Sequence, residues 1–163
     1  MSVDTNVTAK DLYDQDYQLW VDATAAHLKS RNFDALDLEN LIEEIESLGG
    51  SDKRSLSSYL MRLCEHFFKL CYWESDRDRC FRGWDLEISN FRVRMHLILR
   101  NSPSLKRYLE ENFLADYSSA RRLFLKASHF KKETIPEQPW FTLEQVLDPD
   151  WLPWQPDSDP LDD

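Results

Sequence analysis

Along most of this chain the apolar positions recur at three- and four-residue steps, the spacing that gathers side chains on one face of an α-helix. Tyr13, Tyr17, Trp20, Val21, Ala25 and Leu28 form the first such face. They predict a helix over about 14–29, with Asp14 as its cap, Asp16 near the positive end of the helix dipole and Ser30-Arg31-Asn32 as its close. Leu38, Leu41, Ile42, Ile45 and Leu48 form a second face behind Asp37 as N-cap, and Gly49-Gly50 is expected to end that helix. A third, central helix is predicted from Ser51 or Asp52 to about Trp73, with Leu56, Leu60, Leu63, Phe67 and Leu70 in register.

From Glu74 to Arg82 charges alternate without an apolar period, which reads as a solvated connection. A fourth helix then carries Trp84, Ile88, Phe91, Met95 and Ile98 on one stripe. Ser102-Pro103 has the form of an N-cap followed by proline at the first helical position, opening a fifth helix with Leu105, Leu109, Phe113, Tyr117 and Phe124 and a break in its middle as an alternative. Beyond Lys132 six prolines interrupt the pattern, leaving one short helical signal from Thr142 to Leu147, where Thr142 and Gln145 form a capping box. Trp140, Trp151, Leu152 and Trp154 are too apolar for a free tail, so this segment is predicted to wrap over the helices, with 155–163 as a disordered acidic end. The expected fold is all-α: a compact bundle of about five helices over residues 1–132 and a C-terminal wrap over 133–163, in a single domain.

Composition narrows the choice further. Three glycines in 163 residues are few for the tight turns of a sheet-rich fold. The first ten residues lack the apolar run of a secretion signal, and no run of about 18 apolar residues occurs, so a soluble cytoplasmic protein without a membrane span is expected. Cys64 and Cys71 lie seven apart on one predicted helix, about 10 Å along its axis, too far to bridge. With Cys80 outside any CxxC or Cys/His pattern, three reduced thiols are expected. The net charge is −10, unevenly spread: residues 1–50 hold 11 acidic and 3 basic side chains, 51–132 hold 10 and 17, and 133–163 hold 9 and none. A basic centre between acidic ends predicts self-neutralisation within the fold and speaks against nucleic acid as partner.

The stretch Leu36-Asp37-Leu38-Glu39-Asn40-Leu41-Ile42-Glu43-Glu44-Ile45-Glu46-Ser47-Leu48-Gly49 resembles domain-of-unknown-function family 29, small proteins abundant in cyanobacteria. Tyr13-Asp14 with Trp20, Gly83-Trp84 with Ile88 and Arg92, Ser102-Pro103-Ser104-Leu105, and Thr142-Leu143-Glu144-Gln145 with Leu152-Pro153 follow in the order that family shows, over roughly residues 11 to 154. The resemblance implies an all-helical fold and brings no activity, cofactor or catalytic residue. Phe91 departs from the polar residue, often glutamine, that the family places before the arginine matching Arg92.

Candidate chemistry is sparse. Glu44 and Glu46 flank the apolar stripe of the second helix, and His66 lies at the edge of the third helix's stripe. If those helices pack side by side, the three could hold a divalent metal or serve a helical metalloenzyme; the bland reading is solvated carboxylates and a hydrogen-bonded histidine at the core edge. No histidine has an HxxxH or ExxH partner, and GxxxxGK[ST], GxGxxG and GxSxG are all absent, which removes the common nucleotide and nucleophile-elbow signatures. No cofactor is predicted, with a divalent metal as the alternative. Arg92 and Arg94, with Arg100, Lys106, Arg107, Arg121, Arg122 and Lys126, could line a basic groove for nucleic acid, although Tyr108 and Phe124 are expected in the core. The leading reading is a protein-binding or regulatory module with Arg92, Arg94, Trp151 and Trp154 as binding residues, the acidic Trp-containing end competing with an acidic partner for the basic centre. Whether the protein is an enzyme is left open.

Overall fold

The computed structural model describes residues 9–156. Among them it holds six α-helices and no strand: α1 (Ala9–Gln15), α2 (Tyr17–Lys29), α3 (Leu38–Tyr72), α4 (Glu74–Asn101), α5 (Leu105–Ala127) and α6 (Leu143–Leu147). Single 3-10 turns stand at Phe33–Ala35 and Lys132–Thr134. The end beyond residue 156, where the acidic tail was expected, lies outside the described residues. By its backbone contacts the chain divides into two units, the first ending at Ser51 and the second beginning at Asp52.

In the first unit the predicted helix over 14–29 is two helices. Asp16, not Asp14, is the cap: its carboxylate accepts the Leu19 N–H at 3.1 Å, and its own N–H closes α1 on the Leu12 carbonyl at 2.8 Å. The sequence pattern could not show this break, because the apolar face continues through it. Asp37 caps α3 as expected, accepting the Asn40 N–H at 3.4 Å.

Gly49-Gly50 does not end that helix. A glycine stop works by turning the backbone to positive φ, and no glycine here does so. Helical glycine costs about 1 kcal/mol relative to alanine, less than is gained where strong helix-forming sequence continues on both sides. The second and third predicted helices are therefore one helix of 35 residues.

The segment read as a solvated connection is likewise helical. Glu74 and Asp76 fall in the first turn of α4, where the dipole favours carboxylates, and Arg79 pairs with Asp76 one turn away. Charge pairing and the helix dipole hold a turn that apolar periodicity could not reveal. Ser102 ends α4 and Ser104 precedes α5, so the proline turn sits about two residues earlier relative to the helix than predicted; α5 is unbroken.

The buried cluster belongs wholly to the second unit. Leu56, Leu60, Leu63, Phe67 and Leu70 of α3 pack with Ile88 and Met95 of α4 and with Leu109, Tyr117, Ala120 and Phe124 of α5. The C-terminal segment completes this core from above with Ile135, Phe141, Leu143 and Val146. Phe67 meets the rings of Phe141 and Trp151 edge-on at 5.2 and 5.5 Å, and Trp140 lies 5.6 Å from Tyr72 and 5.0 Å from Phe141. The predicted wrap and the Thr142–Gln145 capping box are both present.

Candidate functional site

The structure does not bring Glu44, Glu46 and His66 together. The metal reading needed a turn at Gly49-Gly50 to lay one helix against another, but all three residues stand on the uninterrupted α3. Both oxygens of Glu44 are engaged by phenols, Tyr13 at 2.7 Å and Tyr17 at 2.9 Å, and these bonds hold its carboxyl below the usual carboxylate range. They push the Tyr13 phenol up to about 12. Glu46 is exposed. His66 is buried, its Nδ1–H donating to the Arg62 carbonyl at 2.8 Å and its ring edge-on to Phe91 at 5.8 Å; burial holds its pKa below the ordinary value. Among the described residues no group of three His, Cys, Asp or Glu side chains stands close enough to hold a metal ion. The three cysteines are free thiols, Cys64 buried and Cys71 pushed up to about 11 by burial.

Arg92 and Trp151 do meet, inside the second unit, while Trp154 packs on other partners. Arg92 is 2% exposed, and its guanidinium donates to the carbonyls of Val146 (2.8 Å), Gln145 (3.2 Å), Trp151 (2.7 Å) and Pro149 (3.4 Å). Four chain carbonyls thus absorb the fork, which clamps the C-terminal segment to α4. Arg121 does the same one helix away, donating to the carbonyls of Ile135 (2.9 Å) and Lys132 (2.6 Å), and His96 Nε2–H reaches the Leu147 carbonyl at 2.7 Å. Trp154 lies against Phe81 and under the Arg77 guanidinium at 4.3 Å. Arg94 remains exposed at the surface, its guanidinium 6.0 Å from the Tyr59 ring. Phe91 stacks on Tyr59 at 6.0 Å.

A different surface stands out in the first unit. Eight of the fourteen exposed large apolar side chains among the described residues precede Ser51. On α3 these are Leu38, Ile42, Ile45 (59% exposed) and Leu48 (71%), and on α2 they include Tyr17, Leu19 and Leu28. Between them runs an apolar groove of about 270 Å³, with Trp20, Val21 and Leu28 on one wall and Leu41, Ile45 and Leu48 on the other. Glu44 fixes its width by tying the Tyr13 hydroxyl of α1 and the Tyr17 hydroxyl of α2 to α3. Trp20 is only 2% exposed, packed between Tyr13 (4.9 Å, edge-on) and Tyr17 (5.7 Å, stacked), yet its indole N–H has no acceptor among the described residues.

Sequence reasoning took this stripe as a buried bundle face. The signal that separates it was present: Leu38, Leu41, Ile45 and Leu48 step by three, four and three, the seam of a helix that pairs with another helix, and Glu39, Glu43, Glu44 and Glu46 surround it without one basic residue. No helix among the described residues is long and apolar enough to cross a membrane.

Residues 12–152 match the family model described as Domain of unknown function DUF29. No curated protein and no solved structure matches the chain.

Proposed function

The chain belongs to the DUF29 family, and from that premise, which supplies a fold and no chemistry, we propose that it is a protein-binding module whose first unit receives a basic amphipathic helix in the groove between α2 and the opening turns of α3. The observation that carries this reading is the exposure of Leu38, Ile42, Ile45 and Leu48 as one contiguous helical stripe. An apolar patch of this kind marks an interaction surface, and a stripe at helical spacing fits the apolar face of another helix. Charge selects which helix. The groove lies in a stretch with 11 acidic and 3 basic side chains; Glu39 is paired with Lys10 at 2.7 Å and Glu44 with the two phenols, so a partner bearing lysine or arginine beside its apolar face meets chiefly Glu43 and Glu46. A second copy of this chain would set Glu43 and Glu46 against their own kind, and like charges across a seam are destabilising.

The test uses a fluorescently labelled synthetic helix with leucine on one face and lysine on the other, titrated with the full chain and read by anisotropy. Binding should weaken steadily with added salt, and Ile45→Glu should lower affinity about tenfold or more, since an anchor at the centre of such a contact contributes on the order of 2 kcal/mol. Because Ile45 is more than half exposed, the variant should fold as the parent does. A scrambled peptide of equal charge should bind more weakly. Equal affinity of parent and Ile45→Glu for the ordered peptide would sink the reading.

A further inference from the structure

The stripe of α4 that enters the core, with Ile88 and Met95, has a counterpart on the opposite side of the same helix, and the described residues leave it uncovered. Leu86 (63% exposed), Val93 (67%) and Leu97 (49%) lie on it, with Asn90 also exposed between them. From Leu86 through Asn90 and Val93 to Leu97 the steps are four, three and four, the spacing of a helix-pairing seam. Gly83 and Arg100 continue that seam at its two ends. Along one flank stand Glu87 and Arg94, both exposed, and among the described residues neither is joined to an opposite charge.

The face is already shaped for an incoming side chain. Val93, His96, Leu97 and Arg100 enclose a depression of about 350 Å³. Four residues at these offsets, three, four and seven from the first, frame the hole that receives one apolar knob from a facing helix. Charge and register decide which helix supplies the knob. Let a second copy lie antiparallel, with the two-fold axis crossing α4 between Phe91 and Arg92. Leu86 and Leu97 are then equally distant from the axis, so Leu86 of each copy falls at the hole of the other. Asn90 falls opposite Val93 by the same count. Glu87 of each copy comes within about 3 Å of level with Arg94 of the other, a gap both long side chains span. Arg100 falls opposite Gly83, where even an added Cβ would meet no atom within 4 Å. The one like-charge approach is Arg82 to Arg100 of the other copy, at the outer ends, where both heads reach water. A parallel pair would instead set Arg100 against Arg100 within the seam and part Glu87 from Arg94.

We propose that this outer face of α4 is a self-association surface, on which a second copy of the chain docks antiparallel through Leu86, Val93 and Leu97 with Glu87 and Arg94 paired at the edge. The complementarity lies within one face, as a two-fold interface requires. Asn90, polar within the seam, weakens the contact and penalises sliding to another register. From Leu86 to Arg100 the strip is about 21 Å long, at about 1.5 Å per residue. A strip of that length covers at most about 1,200 Å² in total, which makes the pair reversible. It is distinct from the groove of the first unit, where Glu43 and Glu46 turn a second copy away.

Sedimentation equilibrium of the full chain in reducing buffer, from about 1 to about 300 μM, tests this. The average mass should rise from 19.4 kDa toward twice that value with one dimerisation constant. Val93→Glu, beside the axis, should hold the chain monomeric. Glu87→Arg and Arg94→Glu should each weaken dimerisation about tenfold or more, and mixing the two variants should restore it, because each reversed side chain then meets its opposite on the other chain. Arg82→Glu should tighten the pair severalfold, whereas in a parallel pair, where Arg82 neighbours Glu87, it would loosen it. All four positions are exposed, and circular dichroism of each variant checks the fold. Ile45→Glu should leave dimerisation unchanged, so this surface and the groove of the first unit stand or fall separately. A chain that stays monomeric throughout the range, or a dimer indifferent to Val93→Glu, would overturn the proposal. So would charge variants that fail to re-associate on mixing, or a dimer that Arg82→Glu loosens.

Discussion

Arg92 shows how a single side chain can be placed correctly on its helix and still be assigned the wrong company. As one of many arginines in a basic zone it reads as a surface cation for a partner. Yet it falls on the same stripe as Ile88 and Met95, four residues after one and three before the other, so helical geometry alone directs it inward. What no spacing could show is that it meets carbonyl oxygens more than fifty residues away. Removing it strands those carbonyls in apolar surroundings, so Arg92→Ala should lower unfolding free energy by about 2–4 kcal/mol in a urea titration, while Arg92→Lys, a point charge in place of a fork, should recover only part. His66 was legible as a hydrogen-bonded core-edge histidine, and its environment gives it a sign in pH. Burial lowers its folded-state pKa below the ordinary 6.5, so the unfolded chain takes up the proton first on acidification. The fold should therefore lose stability as pH falls below about 6.5, and thermal melts from pH 7 to 5 should decline less steeply for His66→Gln than for the parent.

Among the helices, apolar periodicity located nearly every stretch that is helical and misplaced most of the breaks. It ran through a break at Asp16, because the carboxylate cap there interrupts no apolar position. It stopped at Gly49-Gly50, where composition suggests an end but backbone torsion does not follow. It skipped the first turns of α4, which carry the Arg79–Asp76 pair and pack Arg77 and Phe81 on Trp154. Breaks depend on local hydrogen bonds that side-chain polarity patterns encode only weakly. The glycine position gives a direct check. A Cβ built at Gly49 meets no atom within 4 Å. Gly49→Ala should therefore raise stability by up to about 1 kcal/mol, seen as a higher melting temperature; a lower one would mean that the helical backbone at this point is not what holds in solution.

For the chain as a whole, the unequal charge predicts both acidic ends neutralised against a basic centre, and the contacts that hold the C-terminal segment are of another kind. The arginines of α4 and α5 grip that segment through its carbonyls, and the carboxylates of Asp148 and Asp150 act on Arg92 only through space. The candidate groove was hidden for the opposite reason: a stripe of leucine and isoleucine looks the same in sequence whether it is covered or bare. Its coverage depends on what folds against it, and all of the shared core lies from Leu56 onward. One rod thus has two sorts of surroundings along its length. Amide protons of α3 in the second unit are sheltered by side chains that only global unfolding removes, whereas those before Ser51 lie under solvent and a few tyrosine contacts. Deuterium uptake followed by mass spectrometry should accordingly divide this continuous helix into an early-exchanging half and a late-exchanging half, and a bound partner should slow only the first.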